Sequence, residues 1–249
     1  MKTLEICVDS LTSARNAIAG GADRLELCAA LVAGGLTPYV HLLEQIRSES
    51  DIPVRCLMRP RPGDFLYEAE EIDMMAKQMP VLKAAGANGF VIGCLTREGD
   101  LDEDAMKKLI YAADGAGLTL HRCIDVSRDP IETYRTAGKL GIDTVLTSGA
   151  ASNCILGLPT IGRLLELRDE INGPEVLIGA GVKAEVIRKI RAWYPFARAF
   201  HASCKADVES AMLFRRDGVP MGLPGLDEWH IPTTSREAVA AARSVLYDL

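Results

Sequence analysis

Two short apolar runs near the start of the chain carry the same pair of chemical groups. Glu5 alternates with Cys7 in the first run, and Glu26 alternates with Cys28 in the second. Because every second side chain of a strand lies on one face, each pair should point to a single side of a sheet. Burying two carboxylates and two thiols there costs free energy unless they are paired or bind a ligand. We therefore predict a functional site on that face.

The two cysteines predict a soft-metal site. If the two strands are neighbours, Cys7 and Cys28 lie at the same level, and their thiolates could share Cu(I), which prefers sulfur ligands. The alternative is that both are small apolar fillers, a common role of buried cysteine.

Arginines cluster where a third predicted strand ends. Arg59 and Arg61 lie near that end, where a guanidinium can hold a carboxylate or phosphate in a bidentate way. Arg55 lies deeper in the same strand, and the alternative for it is to neutralise Glu5 or Glu26 inside the protein. The arginines therefore predict an anion site, with a buried ion pair as the competing interpretation.

His121 lies in a fifth predicted strand and is followed by Asp125. In an enzyme, His121 or Glu26 would move a proton, and Asp125 would orient the histidine. The alternative is a hydrogen-bonded structural histidine. These three residues are the predicted catalytic group if the protein is an enzyme.

Small and polar residues close the last three predicted strands. Ser148 and Gly149 lie at the end of the sixth strand, Gly179 and Gly181 at the end of the seventh, and His201 lies in the eighth. Backbone amides at such corners can receive an anion, and phosphate sites in barrels commonly use the loops after strands 7 and 8. The same glycines also suit an ordinary tight turn, so both interpretations stay open.

Strand-like and helix-like segments alternate along the whole chain, which is typical of a parallel sheet. The predicted strands are 4–8, 24–28, 53–59, 89–94, 118–123, 144–148, 176–180 and 198–203. The predicted helices are 11–19, 39–49, 70–85, 102–114, 131–139, 160–170, 183–191 and 235–247. Eight such units favour an α/β TIM (β/α)8 barrel of one domain, residues 1–249, over a doubly wound sheet. Residues 205–233, with Gly218, Pro220, Gly222, Pro224 and Gly225, predict an irregular loop on the C-terminal face.

Composition narrows the class of protein. A net charge of -6 argues against nucleic acid or an anionic membrane as the main partner. Seven cysteines at wide spacings, with no secretory signal, predict reduced thiols in the cytoplasm. The sequence contains neither a CxxC nor an HExxH motif, so we expect no structural zinc site.

Taken together, these motifs resemble the CutC family of copper homeostasis proteins. The matching pieces are Leu4–Cys7, Gly21–Cys28, Gly34–Pro38, Arg59–Arg61, Gly63–Phe65, His121–Arg122, Asp125, Leu146–Gly149, Gly179–Val182 and His201. Pro62 and Tyr39 depart from the family pattern. The resemblance implies a cytoplasmic TIM barrel, often dimeric, that handles copper, and it supports a copper role for Cys7 and Cys28.

Two functions therefore stand as hypotheses. The first is a cytoplasmic protein that binds copper as Cu(I) through cysteine thiolates and forms a homodimer or a higher homo-oligomer. The second is a barrel enzyme acting on a small anionic metabolite, phosphorylated or derived from a carbohydrate, because guanidinium, imidazole and carboxylate groups converge.

Overall fold

Eight parallel strands close into a barrel in the computed structural model, which describes residues 2–216, 218–219, 221–222 and 227–248. They are β1 Thr3–Val8, β2 Arg24–Leu27, β3 Val54–Leu57, β4 Gly89–Ile92, β5 Gly117–Leu120, β6 Thr144–Thr147, β7 Glu175–Ile178 and β8 Ala199–Ala202. Closure comes from the pairing of β8 with β1, in which His201 lies opposite Glu5. The predicted TIM barrel is confirmed, and the open doubly wound sheet is excluded.

Helices lie between successive strands and after the last one. They are α1 Leu11–Ala19, α2 Val40–Glu49, α3 Ala69–Ala84, α4 Glu103–Ala113, α5 Pro130–Lys139, α6 Leu158–Ile171, α7 Ala184–Trp193 and α8 Arg236–Asp248. Side chains of Ser10, Asp102 and Asp129 accept backbone N–H groups at the starts of α1, α4 and α5, which stabilises those ends. Among the described residues, no helix has both the length and the apolar character needed to cross a membrane.

The alternation in β1 divides the protein into two environments. Leu4, Ile6 and Val8 are fully buried in the main apolar cluster, which includes residues of the surrounding helices. Glu5 and Cys7 point the other way, into the barrel, where Glu5 is fully buried. The outer layer therefore supplies the apolar burial that stabilises the fold, while the interior carries polar groups.

Polar pairs fill the lower part of the barrel interior. Arg24 Nε donates to Glu5 Oε2 over 2.5 Å. Arg55 instead donates to Asp143 over 2.8 Å and to Thr119 Oγ1 over 2.6 Å. The interpretation of Arg55 as the partner of Glu5 or Glu26 is thus corrected, because the register of β1 with β2 brings Arg24 level with Glu5.

Two strands end before the candidate site residues that were predicted to lie within them. β3 ends at Leu57 and leaves Arg59 on the following loop. β5 ends at Leu120, and His121 lies just before a 3-10 helix, Arg122–Val126. His121 is therefore at the barrel mouth and not inside a strand. The side chain explains the break, since its Nδ1 accepts the N–H of Cys123 and starts the 3-10 turn.

The segment after β8 is partly regular. Its two ends, β9 Lys205–Glu209 and β10 His230–Thr234, pair as antiparallel strands. Sequence periodicity gave no strand here because every residue of β9 is exposed and no apolar face is buried. Gly218 and Gly222 are described, whereas Pro220, Pro224 and Gly225 lie outside the described residues.

Candidate functional site

Three neighbouring strands of the barrel bring together a thiol, a carboxylate and an imidazole. Cys7 comes from β1, Glu26 from β2 and His201 from β8, and one ligand atom of each lies within 4.8 Å of the others. Register explains the meeting, since Cys7 is the pairing partner of Glu26 while β8 flanks β1 on its other side. Sulfur, nitrogen and oxygen donors at this spacing form a candidate metal site.

A second carboxylate fixes the orientation of the imidazole. His201 Nδ1 lies 2.8 Å from Glu5 Oε1, and His201 Nε2 lies 3.7 Å from Glu26 Oε2. Histidines that bind metals usually donate their other ring N–H to such a carboxylate, which sets the tautomer. Glu5 therefore directs Nε2 of His201 toward the candidate site.

The two carboxylates have opposite pKa shifts. Burial raises the pKa of Glu5, but the charge of Arg24 and the contact with His201 outweigh it and lower the pKa to about 2. For Glu26, burial is the largest effect and raises the pKa to about 7, helped by the charge of Glu5. Glu5 is thus ionised at neutral and mildly acidic pH, whereas Glu26 can gain or lose a proton near neutral pH.

The imidazole between them is stabilised in its charged form. Burial lowers the pKa of His201, but its interactions with Cys7 and Glu26 and its contact with Glu5 outweigh burial and raise the pKa well above the ordinary value. The site therefore holds protons that a metal ion would have to displace, and metal affinity should rise with pH.

Cys28 lies outside this group of three. The register pairs Cys7 with Glu26, so Cys28 lies two residues beyond that level, and the expectation that both cysteines share one level is wrong. The Cys28 thiol donates to the Val8 carbonyl over 3.5 Å, and burial raises its pKa. A shared metal between Cys7 and Cys28 stays a prediction.

A cavity of about 670 Å³ opens beside the candidate metal site. Cys7 and His201 line it together with Arg122, Gly181, Lys183 and Cys204. Four of these residues lie in the loops beyond the C-terminal ends of the barrel strands, where barrel enzymes place their substrates: Arg122, Gly181, Lys183 and Cys204. The cavity connects the thiol and imidazole to positively charged groups.

Asp125 and His121, two members of the predicted catalytic group, have separate hydrogen-bond partners. Asp125 accepts from Thr147 Oγ1 at 2.5 Å, from Ala150 N at 3.0 Å and from Arg122 Nε at 2.7 Å. His121 Nδ1 is bonded to the Cys123 amide, and Nε2 has no partner among the described residues. Asp125 therefore does not orient His121, because its oxygens organise the loop after β6.

The predicted arginine pair divides into two roles. Arg61 is bound by Glu71 Oε1 at 2.8 Å and Asp64 Oδ1 at 3.0 Å, so its charge is already compensated. Arg59 is buried, and its terminal nitrogens donate to the backbone oxygens of Gly35 and Gly63 at 3.1 and 2.8 Å. Of these two arginines, Arg59 is the one without a carboxylate partner among the described residues.

The polar corners of β6 and β7 are mostly used internally. The Ser148 amide donates to Asp125, the Gly149 amide to Thr147 Oγ1 and the Gly179 amide to the Thr147 carbonyl. These amides hold the loops in place and are not directed to a ligand. Gly181 differs from them, since it lines the cavity.

Sequence reasoning missed four residues that the structure adds to the mouth. Arg122, Lys183 and Cys204 line the cavity, and Tyr67 is a buried tyrosine whose hydroxyl has no partner among the described residues. Arg122 and Lys183 follow strand ends, which is a usable signal. No sequence signal identifies Tyr67, because it lies on a long loop whose path the sequence pattern does not predict.

Comparisons with known proteins agree with this architecture. The model of the CutC family matches residues 2–205. A family protein CutC of Porphyromonas gingivalis is 39% identical over 244 residues, 98% of this chain and 97% of that protein. The human copper homeostasis protein cutC homolog is 39% identical over 220 residues, 88% and 79% of the two chains. The crystal structure of a copper homeostasis protein CutC from Streptococcus agalactiae superposes with a TM-score of 0.76 at 27% identity, covering 82% of this chain and 99% of that one.

Proposed function

The chain belongs to the CutC family, and we propose that it binds copper as Cu(I) inside the barrel mouth, with the Cys7 thiolate as the principal ligand. His201 and Glu26 complete the donor set in this proposal. The observation that carries it is the meeting of Cys7, Glu26 and His201 within 4.8 Å. Thiolate and imidazole are ligands that copper accepts.

The surroundings of Cys7 support metal binding over a filler role. A filler needs only apolar neighbours, whereas Cys7 lies beside a carboxylate and an imidazole that is oriented by Glu5. A buried cluster of this kind is costly for folding unless a ligand or a proton compensates it. A cuprous ion would supply that compensation, and the adjoining cavity would give it a route.

Cu(I) titration of the reduced protein against a competing chelator tests the proposal. Cys7→Ser and His201→Asn should each weaken binding by more than about 100-fold, since loss of a direct ligand exceeds the 10–100-fold cost of altering an outer partner. Unchanged affinity in Cys7→Ser would rule the site out. Cys56→Ser, a buried cysteine in the outer core, is the matched control and should bind normally.

The variant Cys28→Ser separates two ligand sets for the same function. If Cys7, Glu26 and His201 hold the ion, Cys28→Ser should change the affinity by less than about threefold, as expected for a residue outside the ligand set. If Cys7 and Cys28 share it, this variant should lose as much affinity as Cys7→Ser. The arrangement in the barrel favours the first outcome.

A cytoplasmic location and a homo-oligomeric state are also part of the proposal. Seven free cysteines without a disulfide among the described residues are compatible with a reducing compartment. The oligomer rests on the family resemblance alone, and sedimentation of the purified protein would test it.

An enzyme acting on a small anionic metabolite is the second candidate, favoured by one observation. Glu26, with a pKa near 7, lies against His201, which lines a cavity with Arg122 and Lys183. A carboxyl group with that pKa suits general acid–base catalysis at neutral pH. In this proposal Glu26 moves the proton and the cationic side chains hold the anion.

Hydrogen exchange with solvent tests the enzyme proposal. The metal-free protein would be incubated in D2O with phosphorylated and carboxylated sugars, and deuterium incorporation followed by NMR. Glu26→Gln should abolish incorporation, while Glu44→Gln, on the exposed face of α2, should not change it. If the unaltered protein catalyses no deuterium incorporation into any of these sugars, this candidate is excluded.

A further inference from the structure

Three buried polar groups on the β3 and β5 side of the mouth have hydrogen-bonding capacity that the described part of the chain leaves unused. They are Arg59 Nε, the Tyr67 hydroxyl and His121 Nε2. The three residues are only 8%, 8% and 4% exposed. Unpartnered buried polar atoms are rare in native proteins and each needs an explanation.

The three groups share one neighbourhood. The Phe65 ring lies 5.2 Å from the guanidinium carbon of Arg59, and its centroid lies 4.7 Å from that of the His121 ring. The charge of Arg59 also acts on both other groups. Burial and then the Arg59 charge lower the pKa of His121 to about 3. Burial raises the pKa of Tyr67, and the Arg59 charge opposes that rise. None of the three belongs to the cluster of Cys7, Glu26 and His201.

All three groups can donate a hydrogen bond. His121 Nδ1 accepts the Cys123 N–H at 3.1 Å, so the proton of the neutral ring is on Nε2. Arginine has no acceptor, and a tyrosine hydroxyl at neutral pH carries its proton. A ligand that satisfies them must therefore be rich in acceptors.

The charge of Arg59 selects an anion. Its terminal nitrogens bind the backbone oxygens of Ala33, Gly35 and Gly63, which fixes the guanidinium in position without neutralising it. The adjacent Arg61, in contrast, is paired with two carboxylates. A fixed, buried cation with free donors around it resembles the preorganised sites that proteins use for carboxylate and phosphate groups.

We propose that Arg59, Tyr67 and His121 form a binding subsite for an oxyanion, a carboxylate or phosphate group of a small molecule. Gly93, just after β4, lets the His121 ring pack closely against the strand, because a Cβ there would lie 2.5 Å from both Cys123 Sγ and His121 Cε1. The subsite does not depend on copper binding, and it would exist whether or not Cys7 holds a metal.

Calorimetric titration of the metal-free protein with formate, and separately with inorganic phosphate, tests the subsite. Binding of formate alone would identify a carboxylate ligand, and binding of phosphate alone a phosphate ligand. Absence of saturable binding of either anion overturns the proposal.

Two conservative variants locate the binding. Tyr67→Phe removes only the hydroxyl, and His121→Asn keeps an acceptor for the Cys123 amide while removing Nε2. Each should weaken anion affinity about tenfold, as expected for one hydrogen bond to a charged group. Tyr111→Phe and His41→Asn make the same changes on exposed helix faces and should leave the affinity unchanged.

The same variants separate a binding role from a structural one. Since the Tyr67 hydroxyl has no partner in the described part of the chain, Tyr67→Phe should not lower the thermal midpoint of the anion-free protein. Anion affinity equal to that of the unaltered protein in both variants would place the anion elsewhere and overturn the assignment.

Discussion

Glu5 Oε1 lies 2.8 Å from His201 Nδ1, and the same carboxylate accepts from Arg24 through its other oxygen. This contact joins the first and last strands of the barrel, since Glu5 lies opposite His201 in the β1–β8 pairing. It makes Glu5 both a part of the barrel closure and the group that orients the imidazole at the candidate metal site.

Glu5→Gln should therefore weaken copper binding although Glu5 is outside the group of three ligands. We expect a loss of 10–100-fold, because the imidazole loses the anion that fixes its tautomer and raises its basicity. Chelator competition measures it. Glu44→Gln removes a similar carboxylate–imidazole contact, 2.7 Å from His41, on the exposed face of α2 and should have no effect. Equal affinity for Glu5→Gln and the unaltered protein would contradict the orienting role.

The stability of the metal-free protein should fall as the pH rises from about 5 to 8. The pKa of Glu26 is raised from 4.5 to about 7, so the folded state keeps a proton that the unfolded state has lost. The raised pKa of His201 acts in the same direction above its ordinary value of 6.5. Glu26→Gln should flatten this dependence. Between pH 5 and pH 8 its free energy of unfolding should fall by about 2 kcal/mol less than that of the unaltered protein. Urea unfolding at both pH values is the measurement.

Glu5→Gln is the counterpart with the opposite sign. The pKa of Glu5 is lowered to about 2, so its ionised form stabilises the folded state above pH 4.5 and that stability is lost as the pH falls toward 2. Glu5→Gln should therefore destabilise the protein at pH 5 and above, and the difference should shrink in acid. If the stability of Glu5→Gln and that of Glu26→Gln changed with pH in the same way, the assigned charges would be contradicted.

Asp125→Asn should destabilise the protein and leave the His121 ring unaffected. The carboxylate accepts from Thr147, Ser148, Ala150 and Arg122, so the change leaves buried donors without an anionic partner. We expect a loss of about 2–4 kcal/mol in the free energy of unfolding. Asp104→Asn on the exposed surface of α4 is the control and should change stability by less than about 0.5 kcal/mol.

The fold could be predicted from the sequence because its signal is repeated and local. Apolar runs such as Leu4–Val8 recur with helical segments between them, and each repeat specifies the same βα unit. The level at which side chains meet could not be predicted, because it depends on the register between strands. Cys7 and Cys28 occupy equivalent positions in their two sequence runs, but the strand register places Glu26 opposite Cys7.

The contacts of loop residues were the second feature that the sequence could not predict. The sequence indicated Arg59 and Arg61 as equivalent cations, yet the loop after β3 buries the first among backbone oxygens and pairs the second with Glu71 and Asp64. Loop conformation follows from tertiary contacts and not from periodicity. Strand alternation did place Glu26 on the same face as Cys7, because Glu26 lies within a regular strand.

The two histidines of the mouth should differ in protonation at pH 6. Burial, followed by the charge of Arg59, lowers the pKa of His121 to about 3, whereas the anions around His201 raise the pKa of that ring. Nitrogen NMR of ¹⁵N-labelled imidazoles should therefore show a neutral ring with its proton on Nε2 for His121 and a doubly protonated ring for His201. The variants His121→Asn and His201→Asn assign the signals. A His121 ring that titrates between pH 5 and 8 would contradict its burial beside an unneutralised guanidinium. A neutral His201 at pH 6 would contradict the raised pKa that its contacts with Cys7, Glu26 and Glu5 give that ring.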